Sequence, residues 1–180
     1  MKFIALLRGI NVGGKNIIKM TALKACFEEM GFNNVRTVIA SGNVLFETQG
    51  SAAKLAPKIE TALSKEFKYS ACVVVLSEAE LGSVIKGAPR GFGKEPAKYR
   101  YDVIFFRSPL TPQKAMAVVE LKEGVDDAHA GDHAIYFRRL EARVTSSRVN
   151  KIVGKPEYKF MTLRNWNTTT KLIALIETSN

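Results

Sequence analysis

The stretch Val35-Arg36-Thr37-Val38-Ile39-Ala40-Ser41-Gly42-Asn43-Val44-Leu45-Phe46-Glu47-Thr48 reads as two short β-strands, residues 35–40 and 44–48, folded back on each other. Ser41-Gly42-Asn43 supplies a compact turn between arms rich in β-branched and aromatic residues. A tight hairpin pairs its strands antiparallel. It speaks against a doubly wound parallel sheet, whose strands need long crossovers.

Upstream of the hairpin, residues 2–8 form an almost wholly apolar run, the pattern of a central strand. A glycine-rich loop follows over residues 9–16. Leu23, Cys26, Phe27 and Met30 then recur at helical spacing, with Thr21 as the expected N-cap and Gly31 as the stop. Downstream, Leu55, Ile59, Ala62, Leu63 and Phe67 mark a second helix, with Pro57 as a kink or restart point. Residues 71–76 read as a β-branched strand, and Ser77 with Glu80 makes a capping box that opens a further helix.

Residues 88–98 hold two prolines and two glycines and read as a linker, after which the same order begins again. Residues 99–107 are an expected strand. Thr111 caps a helix with Pro112 at its first position, running to about Leu121. Residues 128–130 and 134–138 flank a Gly131-Asp132 turn. Val149, Ile152 and Val153 suggest a short helix stopped by Gly154 and Pro156. Residues 158–162 read as a strand with Tyr158, Phe160 and Thr162 on one face, and residues 166–177 as a closing helix. The expected fold class is therefore α+β: two tandem ferredoxin-like βαββαβ units, each followed by an extra helix. The units fall at residues 1–88 and 99–180, joined by a linker at 89–98, and are able to pack as one.

At 180 residues and 46% hydrophobic content the chain has enough apolar surface for a real core. A formal charge of +10 favours anionic partners: a phosphate-bearing small molecule first, nucleic acid second. The apolar run at Phe3 to Leu7 is broken by Arg8, too short for a secretory leader or a membrane span. Cys26 and Cys72 have neither metal nor redox spacing, which suits reduced core residues in a cytoplasmic protein. No CxxC, HExxH or Ser-His-Asp order is present, so no metal site, cofactor or catalytic residue is expected by name.

Gly9-Ile10-Asn11-Val12-Gly13-Gly14-Lys15-Asn16 nearly matches the P-loop pattern G-x-x-x-x-G-K after a strand. Asn16 stands where a magnesium-binding hydroxyl is needed, and no helix opens directly after it. An anion site remains: glycine N–H groups turned inward, with charge from Arg8 and Lys15. In a ferredoxin-like sheet this loop and the Ser41-Gly42-Asn43 turn share one end. Arg8, Asn11, Gly13, Gly14, Lys15, Ser41 and Asn43 are thus the expected ligand-binding cluster, against the plainer reading of a surface loop.

A second candidate is Arg164-Asn165-Trp166-Asn167, which leads into the last helix and offers an N-cap, a basic group and an aromatic anchor. From Arg138 to Lys171 there are nine Lys/Arg against two acids. Arg90-Gly91-Phe92-Gly93 imitates the start of an RNA-recognition motif but lies in the linker, and reads as a decoy. His129 and His133 near Asp126, Asp127 and Asp132 read as a chance surface cluster. Phe3 and Phe46 serve a nucleic-acid platform only if exposed. A protein-interaction module without a ligand is the third reading.

The block from Ala5 to Asn16, then Ser41-Gly42-Asn43-Val44, then Arg164-Asn165-Trp166-Asn167-Thr168 resembles a bacterial family labelled domain of unknown function 1697. The resemblance spans nearly the whole chain and implies a duplicated ferredoxin-like architecture, with no established substrate, cofactor or reaction. Thr168-Thr169-Thr170 departs mildly from it, making a weak helix start.

Overall fold

The computed structural model describes residues 1–39 and 42–178 of the chain. It is a mixed α+β structure with two four-stranded antiparallel sheets. The chain divides into two compact units: Met1–Leu81 together with the chain from Leu172, and Gly82–Lys171.

The first unit contains β1 (Lys2–Leu7), α1 (Met20–Glu29), β2 (Asn33–Val38), β3 (Asn43–Glu47), α2 (Ala52–Phe67) and β4 (Val73–Ser77). The sheet order is β2-β3-β1-β4, so the first strand is central, as its unbroken apolar run requires. The register sets Phe3 opposite Phe46 and Ala5 opposite Val44 and Val75. Alternation then places Phe3, Ala5, Leu7, Val44, Phe46, Val73 and Val75 on one face, where they form a core with Leu23 and Phe27 of α1 and Ile59 and Leu63 of α2.

Helix α1 starts one residue before the expected cap. Lys19 holds the N-cap position without a side-chain bond, and Thr21 lies inside the first turn. The approach to the helix is fixed instead by Asn11, whose Oδ1 accepts from the Ile18 N–H at 2.8 Å. The helix does stop at Gly31, whose N–H donates to Glu28 O at 2.9 Å. Helix α2 runs through the exposed Pro57 as one element. After β4 the capping box closes reciprocally: Ser77 N–H donates to Glu80 Oε2 at 2.7 Å and Glu80 N–H to Ser77 Oγ at 3.2 Å. This starts α3 (Glu78–Lys86).

The second unit contains β5 (Tyr99–Phe106), α4 (Pro112–Ala117), β6 (Asp126–Ala130), β7 (Ala134–Leu140), β8 (Met161–Asn165) and the start of α5 (Trp166–Glu177). Its sheet order is β6-β7-β5-β8. Thr111 caps α4 as expected, its Oγ1 accepting from Lys114 N–H at 3.3 Å. The helix ends at Ala117 rather than near Leu121, because the β-branched pair Val118-Val119 disfavours continuation.

Between β7 and β8 lie three 3₁₀ segments, Glu141–Ser146, Val149–Gly154 and Pro156–Phe160; the second is the expected short helix, and the third takes the first residues of the expected strand. Val149 and Ile152 are both buried. Their i,i+3 spacing suits a 3₁₀ turn, in which such side chains eclipse. Tyr158 and Phe160 therefore lie in a turn, and β8 begins only at Met161, paired with Phe106. Ile104, Phe106, Ile135, Phe137, Val149, Ile152 and Met161 form this unit's core.

One buried phenol in each unit makes a pH prediction. Tyr69 and Tyr136 are both pushed up to about 12, burial being the first cause. A phenol whose folded pKa exceeds its unfolded value of 10.0 adds stability that is complete below that pH and is lost as pH rises to about 12. Melting temperature is expected to fall across pH 10–12. The Tyr69 hydroxyl is buried with no partner among the described residues, so Tyr69→Phe should flatten that fall at little cost near neutrality. The Tyr136 hydroxyl donates to Val84 O at 2.6 Å, so Tyr136→Phe should cost about 1 kcal/mol near neutrality and flatten the alkaline fall as well. An unchanged alkaline slope in both variants would contradict the assignment.

Candidate functional site

At the end of β1 the backbone is tied on both sides. Leu7 N–H donates to Gly42 O at 2.8 Å and Arg8 N–H to Cys72 O at 3.0 Å. From here the chain leaves as a small tongue. Asn11 N–H donates to Asn16 O at 3.2 Å and Lys15 N–H to Val12 O at 3.1 Å, closing a miniature hairpin. Its tip is Gly13-Gly14 at φ +59° and +72°, a two-residue turn whose central residues are both left-handed. The G-x-x-x-x-G-K spacing is therefore that of a hairpin. In a P-loop the lysine opens a helix, whereas here α1 begins five residues later, at Met20.

The tongue is braced at its foot. Asn16 Nδ2 donates to Gly9 O at 2.9 Å. The Asn11 amide both accepts from Ile18 N–H and donates to Ile18 O, at 2.8 and 3.0 Å. Asparagine tolerates the left-handed backbone that both positions adopt, at φ +54° and +48°. Ile10 is buried beneath Gly42, where an added Cβ would stand 2.8 Å from Ile10 Cδ1.

The tongue brings Arg8, Asn11, Gly13, Gly14 and Lys15 together, in different settings. Gly13, Gly14 and Lys15 are exposed at the tip. Arg8 is partly buried at the base, its Nη2 donating to Cys72 Sγ at 3.0 Å. Asn43 shares this end of the sheet but is 0% exposed, its Nδ2 donating to Val38 O at 2.9 Å across the hairpin. Ser41 lies outside the described residues. Sequence reasoning missed Cys72 as the partner of Arg8. Only the β1–β4 pairing brings the two together.

The Arg164-Asn165-Trp166-Asn167 segment belongs to the second unit and serves largely as frame. Arg164 is 8% exposed, and its Nη1 donates to Thr162 Oγ1 and Leu163 O at 2.9 and 2.8 Å. Burial holds its guanidinium down at about 10. Asn165 caps α5, accepting from Asn167 N–H at 2.9 Å and donating to Tyr101 O at 3.2 Å. Trp166 meets the edge of Phe92 at 5.1 Å. That same Phe92 also packs on Tyr101 and Tyr136, at 4.9 and 5.5 Å, so the RNA-motif imitation in the linker is a packing residue.

His129 Nδ1 lies 3.9 Å from Asp127 Oδ2, and no group of three or more potential metal ligands occurs among the described residues. No helix there is long and apolar enough to cross a membrane. Phe3 and Phe46 are 1% and 2% exposed, stacked 5.8 Å apart inside the core. A sheet-face platform for stacking bases is therefore closed on the first unit.

No curated protein matches this sequence significantly. Among solved structures, the conserved bacterial protein SP0830 from Streptococcus pneumoniae is similar at 27% sequence identity and a TM-score of 0.82, covering 97% of this chain and 98% of its own. The model of one family matches residues 1–136, which include the tongue, the hairpin and both central strands of the first sheet. The chain belongs to that family, described as protein of unknown function (DUF1697).

Proposed function

We propose that the protein is a pair of tandem ferredoxin-like βαββαβ units that binds a phosphate-bearing or otherwise anionic small ligand at the tongue of its first unit. The fold reading is supported by the matching strand order, second-third-first-fourth in both sheets, although 3₁₀ segments stand where the second unit's second helix would be. Two free cysteines support a reducing, cytoplasmic location.

One observation carries the binding reading. The tongue is braced from behind, leaving Gly13, Gly14 and Lys15 presented at its tip within a basic neighbourhood. The first 27 residues hold five Lys/Arg and no acid. In this reading Lys15 supplies charge at the tip and Arg8 at the base, while Gly13 and Gly14 offer backbone N–H groups. Asn11, Asn16 and Asn43 hold the frame. The reading assigns binding and no catalytic step.

Calorimetric titration of inorganic pyrophosphate into wild type, Arg8→Ala and Lys15→Ala tests it. A charge-assisted contact is worth ~1.5–3 kcal/mol, so each variant should bind about tenfold more weakly or worse. Lys15→Ala should keep the wild-type melting temperature. Affinity unchanged in both variants would remove the site.

A further inference from the structure

The second unit contains a cavity of about 140 Å³ that the tongue reading does not use. Its walls are aromatic, from Tyr99, Tyr101 and Trp166, and its mouth carries Arg100, Glu141 and Asn167. The mouth is fixed by a two-pronged contact, Arg100 Nε and Nη2 donating to the Glu141 carboxylate at 3.1 and 2.6 Å. The Trp166 indole is held by the Phe92 edge on one side and by Gly93 on another, where an added Cβ would overlap its ring nitrogen. Tyr99 lies under two cations, Arg138 at 4.8 Å and Lys98 at 5.0 Å from its ring centre.

We propose that this cavity takes the ring of a pyrimidine nucleotide. Size comes first: a cavity of ~150 Å³ admits benzene, so 140 Å³ holds one six-membered ring, and the second ring of a purine would protrude beyond the aromatic walls. Aromatic walls select a flat π-face. The mouth offers donors and acceptors together. Arg100 uses only part of its five-donor fork on Glu141, whose carboxylate keeps spare lone pairs. A plain phenyl ring satisfies neither, whereas a pyrimidine edge carries both carbonyl and N–H groups. Lys98 and Arg138, the two cations over the Tyr99 ring, suit the attached phosphate. The inference goes beyond the tongue reading and does not depend on it. The shared chemistry, a phosphate-bearing pyrimidine ring, could arrive as a free nucleotide or within a single strand, and the cavity's size favours the free nucleotide.

Trp166 is the only tryptophan in the chain, so its fluorescence reports on this cavity alone. Titration of the whole protein with UMP should quench it saturably, with Kd about 1 mM or tighter, and calorimetry should give the same constant. AMP should bind at least about tenfold more weakly, and Arg100→Ala and Tyr99→Leu should each weaken UMP about tenfold. Lys15→Ala should leave the UMP curve unchanged, separating this site from the tongue. No saturable response to UMP or CMP, equal affinity for AMP, or an Arg100→Ala curve matching wild type would overturn the proposal. So would a short oligouridylate that binds when UMP does not, since the source would then be a strand.

Discussion

Phe46→Ala is expected to cost about 3–5 kcal/mol of folding stability, the range for removing a large aromatic from a packed core. Phe46 stands at the centre of three other rings: Phe3 at 5.8 Å, Phe27 at 5.5 Å and Phe32 at 4.7 Å. Truncation removes all three contacts at once, from a site where β1, β3 and the first helix converge and cannot easily collapse. A denaturant titration should show a lower midpoint with unchanged slope. The variant also decides between two roles for this strand position. Were Phe46 a surface for stacking bases, its loss would leave the midpoint in place and lower affinity for single-stranded RNA instead.

Gly42→Ala should cost about 2–5 kcal/mol, from two sources that a control separates. The backbone at Gly42 is left-handed, φ +78°, where a side chain costs about 1–2 kcal/mol. A Cβ there would also meet Ile10 Cδ1 at 2.8 Å and Leu7 Cβ at 2.9 Å, adding an overpacking cost of about 1–3 kcal/mol. Gly13 has a similar φ of +59° but open space around it, so Gly13→Ala should show the backbone cost alone. Equal losses in the two variants, read from thermal melts, would mean that Ile10 does not anchor the tongue beneath Gly42.

Much of the fold was legible because it depends on local chemistry. The hairpin around Gly42, the capping box of Ser77 and Glu80, the Thr111 cap and the limits of α5 each follow from a few neighbouring residues. Errors arose where one pattern serves two structures. Tyr158, Phe160 and Thr162 alternate like a strand, yet Pro156 opens a 3₁₀ turn and pairing starts at Met161. Thr21 is a good cap by residue type, but Asn11 had already fixed the preceding backbone.

The candidate site divides along the same line. That Arg8, Asn11 and Lys15 lie on one loop was readable. Which way each side chain turns was not, because an asparagine that orients a ligand and one that braces a backbone are the same residue in sequence. Asn11 and Asn43 prove to be braces, and Arg164 a buried guanidinium. Among the described candidates of the first unit, what remains exposed is the Gly13-Gly14-Lys15 tip.

That tip can be observed directly. In ¹H–¹⁵N correlation spectra of the full chain, inorganic pyrophosphate should shift the backbone amide signals of Gly13, Gly14 and Lys15 saturably, with smaller changes at Arg8, and should leave the Trp166 indole signal in place. Lys15→Ala should raise the concentration needed about tenfold without moving signals elsewhere in the sheet. Spectra in which the tongue amides stay still at saturating pyrophosphate, or move no more than exposed lysine amides across the rest of the surface, would contradict the account.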